Sequence, residues 1–108
     1  MRVVVAVKDE AGAEWLAHIL SQAGYSVALV PEVTAESPEL HGAELLIADR
    51  DRAGVLGEAG PRCRILFAPR GGTVELSDLE KGFAEVIAMP SPPEDVIARV
   101  EHAIRRTA

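Results

Sequence analysis

At 108 residues the chain has room for one domain, spanning 1–108, and its 48% hydrophobic content argues against disorder. A formal net charge of −6 disfavours a nucleic-acid partner, which needs a basic face. No apolar run nears the roughly 20 residues of a membrane span, so no membrane partner is expected.

The lone cysteine, Cys63, cannot form an internal disulfide, and a reducing cytoplasm is the expected compartment. The opening MRVVVAVKDE has too short an apolar run for a signal peptide. The one basic cluster, Arg105 and Arg106, suits the negative end of a helix dipole.

In chain order, VVVAV at 3–7 predicts a first strand. A helix follows, with Trp15, Leu16, Ile19, Leu20 and Ala23 on one face and Gly24 as its stop. YSVALV at 25–30 is a second strand, and Ser37 and Pro38 open a helical turn or two over 37–42. ELLIA at 44–48 is a third strand that ends on Asp49, Arg50 and Asp51. A short, glycine-rich helix is expected within 51–60, then a fourth strand, RILFA, at 64–68.

The loop APRGG at 68–72 leads into a segment, 73–82, that is helical from Thr73 or from Ser77. EVIAM at 85–89 is the fifth strand. SPPE at 91–94 reads as a capping box: Ser91 caps, Pro92 takes the first helical position and Glu94 reaches back. Val96, Ile97, Val100 and Ile104 then form one apolar stripe.

None of the five strand runs alternates strictly, as suits strands buried on both faces of a parallel sheet. The gaps are long enough for crossover helices and too long for hairpins. Five βα units predict an α/β, doubly wound, five-stranded parallel sheet between helical layers. Function in such a sheet sits beyond the carboxyl ends of the strands. Those ends carry Lys8, Asp9 and Glu10; Asp49 and Asp51; Ala68, Pro69 and Arg70; and Met89 and Pro90.

In this order the strand ends resemble the receiver domain of two-component response regulators. EKGFAEVIAMPSPPEDVIARV at 80–100 resembles the family's closing segment, ELLIAD at 44–49 its third strand, and VVVAVKDE at 3–10 its first strand with an acidic pair. The resemblance implies a CheY-like, flavodoxin-like (βα)5 fold and a role in phosphorelay signalling, without enzyme activity of its own. It places Asp49 at the phospho-acceptor position and Asp9 at the second acid of the magnesium-binding pair. Asp51 falls where a backbone carbonyl meets the same metal, and Pro90 matches the proline of a Lys-Pro step that is often cis.

The chain departs from this pattern at four positions. Lys8 replaces the first acid, Ala68 the hydroxyl residue of the fourth strand, Met89 the lysine before Pro90, and Val86 the aromatic switch residue. Phosphoryl transfer needs charge compensation on the phosphoryl oxygens. Lys8, Asp9 and Asp49 together carry −1, against −3 for two acids and an acceptor. One unit charge beside a surface cation is worth up to ~4 kcal/mol at an effective dielectric of ~20. The expectation is therefore an inactive acceptor, no bound metal or cofactor, and a Lys8 ammonium reaching Asp49 or Asp9 in the metal's place. Magnesium is required only if Asp49 does accept a phosphoryl group.

Plainer readings stand beside these. Asp49 and Asp51 can be a polar strand end followed by a helix cap. Asp9 and Glu10 suit the first turn of a helix. His18, His41 and His102 show no ligand spacing and are expected at the surface. Cys63, between Arg62 and Arg64, reads as an edge cysteine, and Trp15 as core. APRGG is either a mobile loop or a phosphate or flavin cradle built on Arg70 and Gly71.

The function expected is a pseudo-receiver that binds proteins: a signalling kinase, an output protein or a second copy. The family's face of fourth helix, fifth strand and fifth helix lies here within 73–106, and exposed apolar residues should cluster there. The alternatives are a working phospho-acceptor at Asp49, with Lys8 or Arg50 substituting for the missing lysine, or a flavodoxin-like ligand binder using the 68–72 loop.

Overall fold

A computed structural model describes residues 1–74, 77 and 82–108. The elements are β1 (Arg2–Ala6), α1 (Glu10–Gln22), β2 (Ser26–Leu29), a 3-10 turn (Pro38–Leu40), β3 (Leu45–Ala48), α2 (Arg50–Leu56), β4 (Arg64–Ala68), β5 (Glu85–Ala88) and α3 (Pro93–Thr107). The strands form one parallel sheet in the order β2-β1-β3-β4-β5. This is the doubly wound α/β architecture that the unbroken apolar runs predict, with the strand order reversing at β1.

Side chains alternate across each strand, so β1 and β3 each feed two cores. Val3, Val5, Leu45, Ile47, Ile65, Phe67 and Ile87 face α1 and α3 and pack on Leu16, Leu20, Val96 and Val100. Val4, Ala6, Leu46 and Ala48 face the other way, onto Val33, Leu40 and Leu56. Leu16 and Leu20 have no exposed surface, and burying each contributes about 1.5–3 kcal/mol. The half-buried Trp15 packs against the first core, as expected.

β2 is followed by one 3-10 turn, the helical turn expected after Ser37, and that loop covers the second face by inserting Val33 and Leu40. Other elements depart from expectation. α1 ends at Gln22, leaving Ala23 exposed, while Gly12 and Ala13 join its buried face. Gly24 does follow the helix as its stop, at φ 96°. α3 starts at Pro93, one residue later than a Ser91 cap requires. Pro92 is extended, at φ −69° and ψ 153°, because a residue that precedes proline is driven out of the helical region. Ser91 instead donates its hydroxyl to the Ala88 carbonyl.

Within the 73–82 segment Thr73 is not helical and Ser77 is; Glu75, Leu76 and 78–81 lie outside the described residues. Cys63 is no edge residue. It is 7% exposed and belongs to the first core. Among the described residues no helix is long and apolar enough to cross a membrane.

Candidate functional site

Parallel pairing sets Val5 beside Ile47, Ala6 beside Ala48 and Ala48 beside Leu66, so the carboxyl ends of β1, β3 and β4 open at one crest. A cleft of about 720 Å³ lies there, lined among others by Lys8, Asp9, Asp49, Asp51, Phe67 and Ala68. Of the residues singled out in the sequence, Lys8, Asp9, Asp49, Asp51 and Ala68 line this cleft, and Val86, Met89 and Pro90 do not. The contacts among them differ from those expected.

Asp49 is half-buried and caps α2. Its Oδ1 accepts the Arg52 backbone N–H at 2.9 Å, and its Oδ2 accepts the Lys8 backbone N–H at 2.8 Å. The plain reading of a strand end followed by a cap therefore describes its geometry. The predicted bridge from the Lys8 ammonium does not form: Lys8 is exposed and has no ion pair among the described residues. Its main chain, positioned by the β1–β3 register, makes the contact, and the ammonium stays in water where its charge is solvated.

Asp9 stands at the N-cap of α1, extended at φ −68° and ψ 102°, without a capping hydrogen bond from its side chain. Its carboxylate lies over Gly12, where an added Cβ would fall 2.7 Å from Oδ2. Asp51 is exposed in the first turn of α2. Magnesium asks for near-octahedral oxygen ligation, usually from one or two carboxylates plus substrate phosphate. Among the described residues no three His, Cys, Asp or Glu side chains are placed to share a metal ion. Each Asp49 oxygen accepts one N–H group.

The remaining positions fill out the crest. Ala68 is buried at the end of β4, and its carbonyl accepts the Met89 N–H at 2.9 Å. Met89 turns its side chain to the first core, and the Met89–Pro90 bond is cis. Val86 is half-buried on β5, which ends the sheet. The 68–72 loop closes on itself: Gly72 N–H donates to the Pro69 carbonyl at 2.8 Å around Gly71 at φ 83°. That amide is spent within the turn; Pro69 and Gly72 line the cleft, and Arg70 and Gly71 do not.

Two arginines work at the same place. Arg52 Nε donates to the Pro31 carbonyl and Arg50 Nη2 to the Thr73 carbonyl, each at 2.9 Å. Sequence reasoning passed over Arg52, whose only hint is its spacing from Asp49, since the third residue after an N-cap supplies the capped N–H.

The face formed by β5 and α3 is polar. Glu85 binds Arg99 Nη1 at 3.0 Å and pairs with His102 Nδ1, while Arg99 Nε reaches Asp95 at 3.1 Å. Arg106 Nη1 donates to the Ala84 carbonyl at 2.8 Å. Burial pushes the Glu85 carboxyl up, but the hydrogen bonds from His102 and the Val86 N–H, with the Arg99 charge, hold it below the usual carboxylate range. Of the large exposed hydrophobics among the described residues (Met1, Leu29, Val55, Val74), Val74 alone lies within 73–106. Among the described residues of that face the expected apolar cluster is not found. His18, His41 and His102 are exposed, as expected.

No protein-family model and no curated protein matches the chain. Solved structures do. NtrX from Brucella abortus aligns over 98% of this chain at 22% identity and a TM-score of 0.79, and the chain spans 26% of that protein. A CheY-like receiver domain protein from Methanospirillum hungatei aligns over 97% of this chain and 94% of its own, at 20% identity and a TM-score of 0.76. A receiver domain protein from Clostridium thermocellum covers 98% and 95%, at 16% identity and a TM-score of 0.70. The fold is that of response regulator receiver domains, CheY-like and flavodoxin-like.

Proposed function

We propose that this chain is a receiver-like signalling domain that works as a protein-binding module without the magnesium and phospho-aspartate switch. One observation carries this reading: both carboxylate oxygens of Asp49 accept backbone N–H groups, from Lys8 at 2.8 Å and Arg52 at 2.9 Å. Attack on phosphorus needs a carboxylate oxygen directed at the donor and cationic or hydrogen-bonding groups on the phosphoryl oxygens. Here Ala68 offers only a methyl group and Met89 turns its thioether to the first core, so neither supplies a hydroxyl or an ammonium to a phosphoryl group. Lys8 repels a divalent cation from the crest.

The partner is a protein in the cytoplasm: a signalling kinase, an output protein or a second copy of the chain. The β5–α3 face, with its Glu85, Arg99 and His102 cluster, would meet it through charge and hydrogen bonding. The acidic chain takes no nucleic acid and catalyses no reaction of its own.

The test is an amide NMR titration with millimolar magnesium and then beryllofluoride, alongside intact mass after treatment with acetyl phosphate and magnesium. We expect no shifts around Asp9 and Asp49 and no adduct. A single phosphoryl adduct mapped to Asp49 overturns the proposal. It would establish instead the reading that Asp49's place in the crest cleft favours, a working phospho-acceptor.

A further inference from the structure

The first turn of α2 touches the loops that follow β1, β2, β3 and β4. Asp49, at the end of β3, takes the Lys8 N–H from the loop after β1. Arg52 supplies its own N–H to Asp49 and sends its guanidinium to the Pro31 carbonyl after β2. Arg50 sends its guanidinium to the Thr73 carbonyl after β4. We propose that Asp49, Arg50 and Arg52 form a strap that holds these four loops in one arrangement, so that the crest is organised by the chain's own side chains. This rests on reading Asp49 as a site that takes up no phosphoryl group.

Three physical features favour a cooperative strap over separate surface contacts. First, two N–H donors meet two different oxygens of Asp49, and only a carboxylate offers both. An asparagine would turn its own NH2 group against one of the N–H donors. Second, α2 has seven residues and includes Gly54, too short to stand as an isolated helix. Its ordering depends on these anchors, so each anchor helps hold the turn from which the others reach. Third, bonds from guanidinium to carbonyl are charge-assisted and roughly twice as strong as neutral ones. The Arg52 bond also reaches the segment that carries Val33, 4% exposed in the second core, and so links the crest to packing below the sheet.

Amide hydrogen exchange on the full chain tests this, in wild type and in Asp49→Asn, Arg52→Gln and Arg50→Gln, without a phosphodonor. Arg52→Gln keeps its backbone N–H, so the cap survives. Exchange should quicken about tenfold at Val30 and Thr34, whose N–H groups donate to the Val5 carbonyl and the Ser37 hydroxyl, and little at Lys8. Arg50→Gln should do the same at Gly72, whose N–H donates to the Pro69 carbonyl. Asp49→Asn should quicken exchange at Lys8 or Arg52 and, through the loosened turn, at Val30, Thr34 and Gly72 as well.

The strap is overturned if the arginine variants leave their loops within about twofold of wild type. It is also overturned if Asp49→Asn acts only at Lys8 and Arg52, because the contacts would then be independent. Should Asp49→Asn fail to fold, the arginine variants decide the matter by whether each disturbs the other's loop. The phosphoryl adduct test on wild type is separate: an adduct sinks the silent-site reading, while the exchange response of the arginine variants still judges the strap.

Discussion

Replacing Gly12 by alanine sets two terms of known sign against each other. Gly12 is buried in α1, where an added Cβ would fall 2.7 Å from Asp9 Oδ2 and 2.9 Å from Phe67 Cζ. Asp9 is exposed, and its carboxylate can swing away at little cost. Phe67 cannot: its ring is 1% exposed and is held in the first core. Ordinary carbon contacts are about 3.5–4.0 Å, so the ring or the helix must yield by more than about half an ångström. Such overpacking costs about 1–3 kcal/mol. The higher helix propensity of alanine returns at most about 1 kcal/mol, less near a helix N-terminus.

The net expectation for Gly12→Ala is a loss of about 1 kcal/mol, or roughly 4–8 °C in Tm. Urea unfolding followed by the fluorescence of Trp15, the single tryptophan, measures it; the midpoint should fall with m unchanged. Pairing it with Phe67→Leu should make Gly12→Ala less costly in that background, since the ring edge is gone. A gain of about 1 kcal/mol from Gly12→Ala alone would refute the reasoning, because propensity would then act with no packing cost.

Arg64 donates to the carbonyls of Gly57, Ala59 and Pro61 and so closes the loop between α2 and β4. Arg64→Met should cost about 2 kcal/mol in urea unfolding, the three bonds being partly replaced by water, and a loss under about 0.5 kcal/mol would contradict that role. Glu85 carries a depressed folded-state pKa, so its contribution to stability is present above the ordinary carboxyl value of 4.5 and is lost as pH falls through the lower folded value. Glu85→Gln should therefore be less stable than wild type at neutral pH, with the gap narrowing below pH 4.5; a gap unchanged down to acid pH would speak against the pairing with His102 and Arg99. Cys63, 7% exposed, should react with a thiol reagent in native buffer only at the rate of unfolding, and rapid full labelling would show that its core position is wrong.

The strands, their parallel sense and the cleft at their carboxyl ends were legible in the sequence. Apolar runs such as VVVAV and ELLIA can be satisfied only by burial on both faces, and long gaps between them force crossovers. The position of Asp49 at the end of β3, of Ala68 at the end of β4 and of Met89 just after β5 was equally legible, because each follows from an apolar run.

What the tertiary structure decided were contacts between atoms far apart in the chain. The sequence put a lysine beside the site, but the β1–β3 register chose the Lys8 N–H over its ammonium as the partner of Asp49, 41 residues away. Arg52 meets Pro31 across 21 residues, and Arg50 meets Thr73 across 23, through loops without periodic pattern. The space that admits a glycine and nothing larger at position 12 depends on the rotamer of Phe67 on another element. Burial of apolar runs is a one-dimensional property and shows in composition. Hydrogen-bond partners are chosen by distances of a few tenths of an ångström, which exist only once the sheet has set its register.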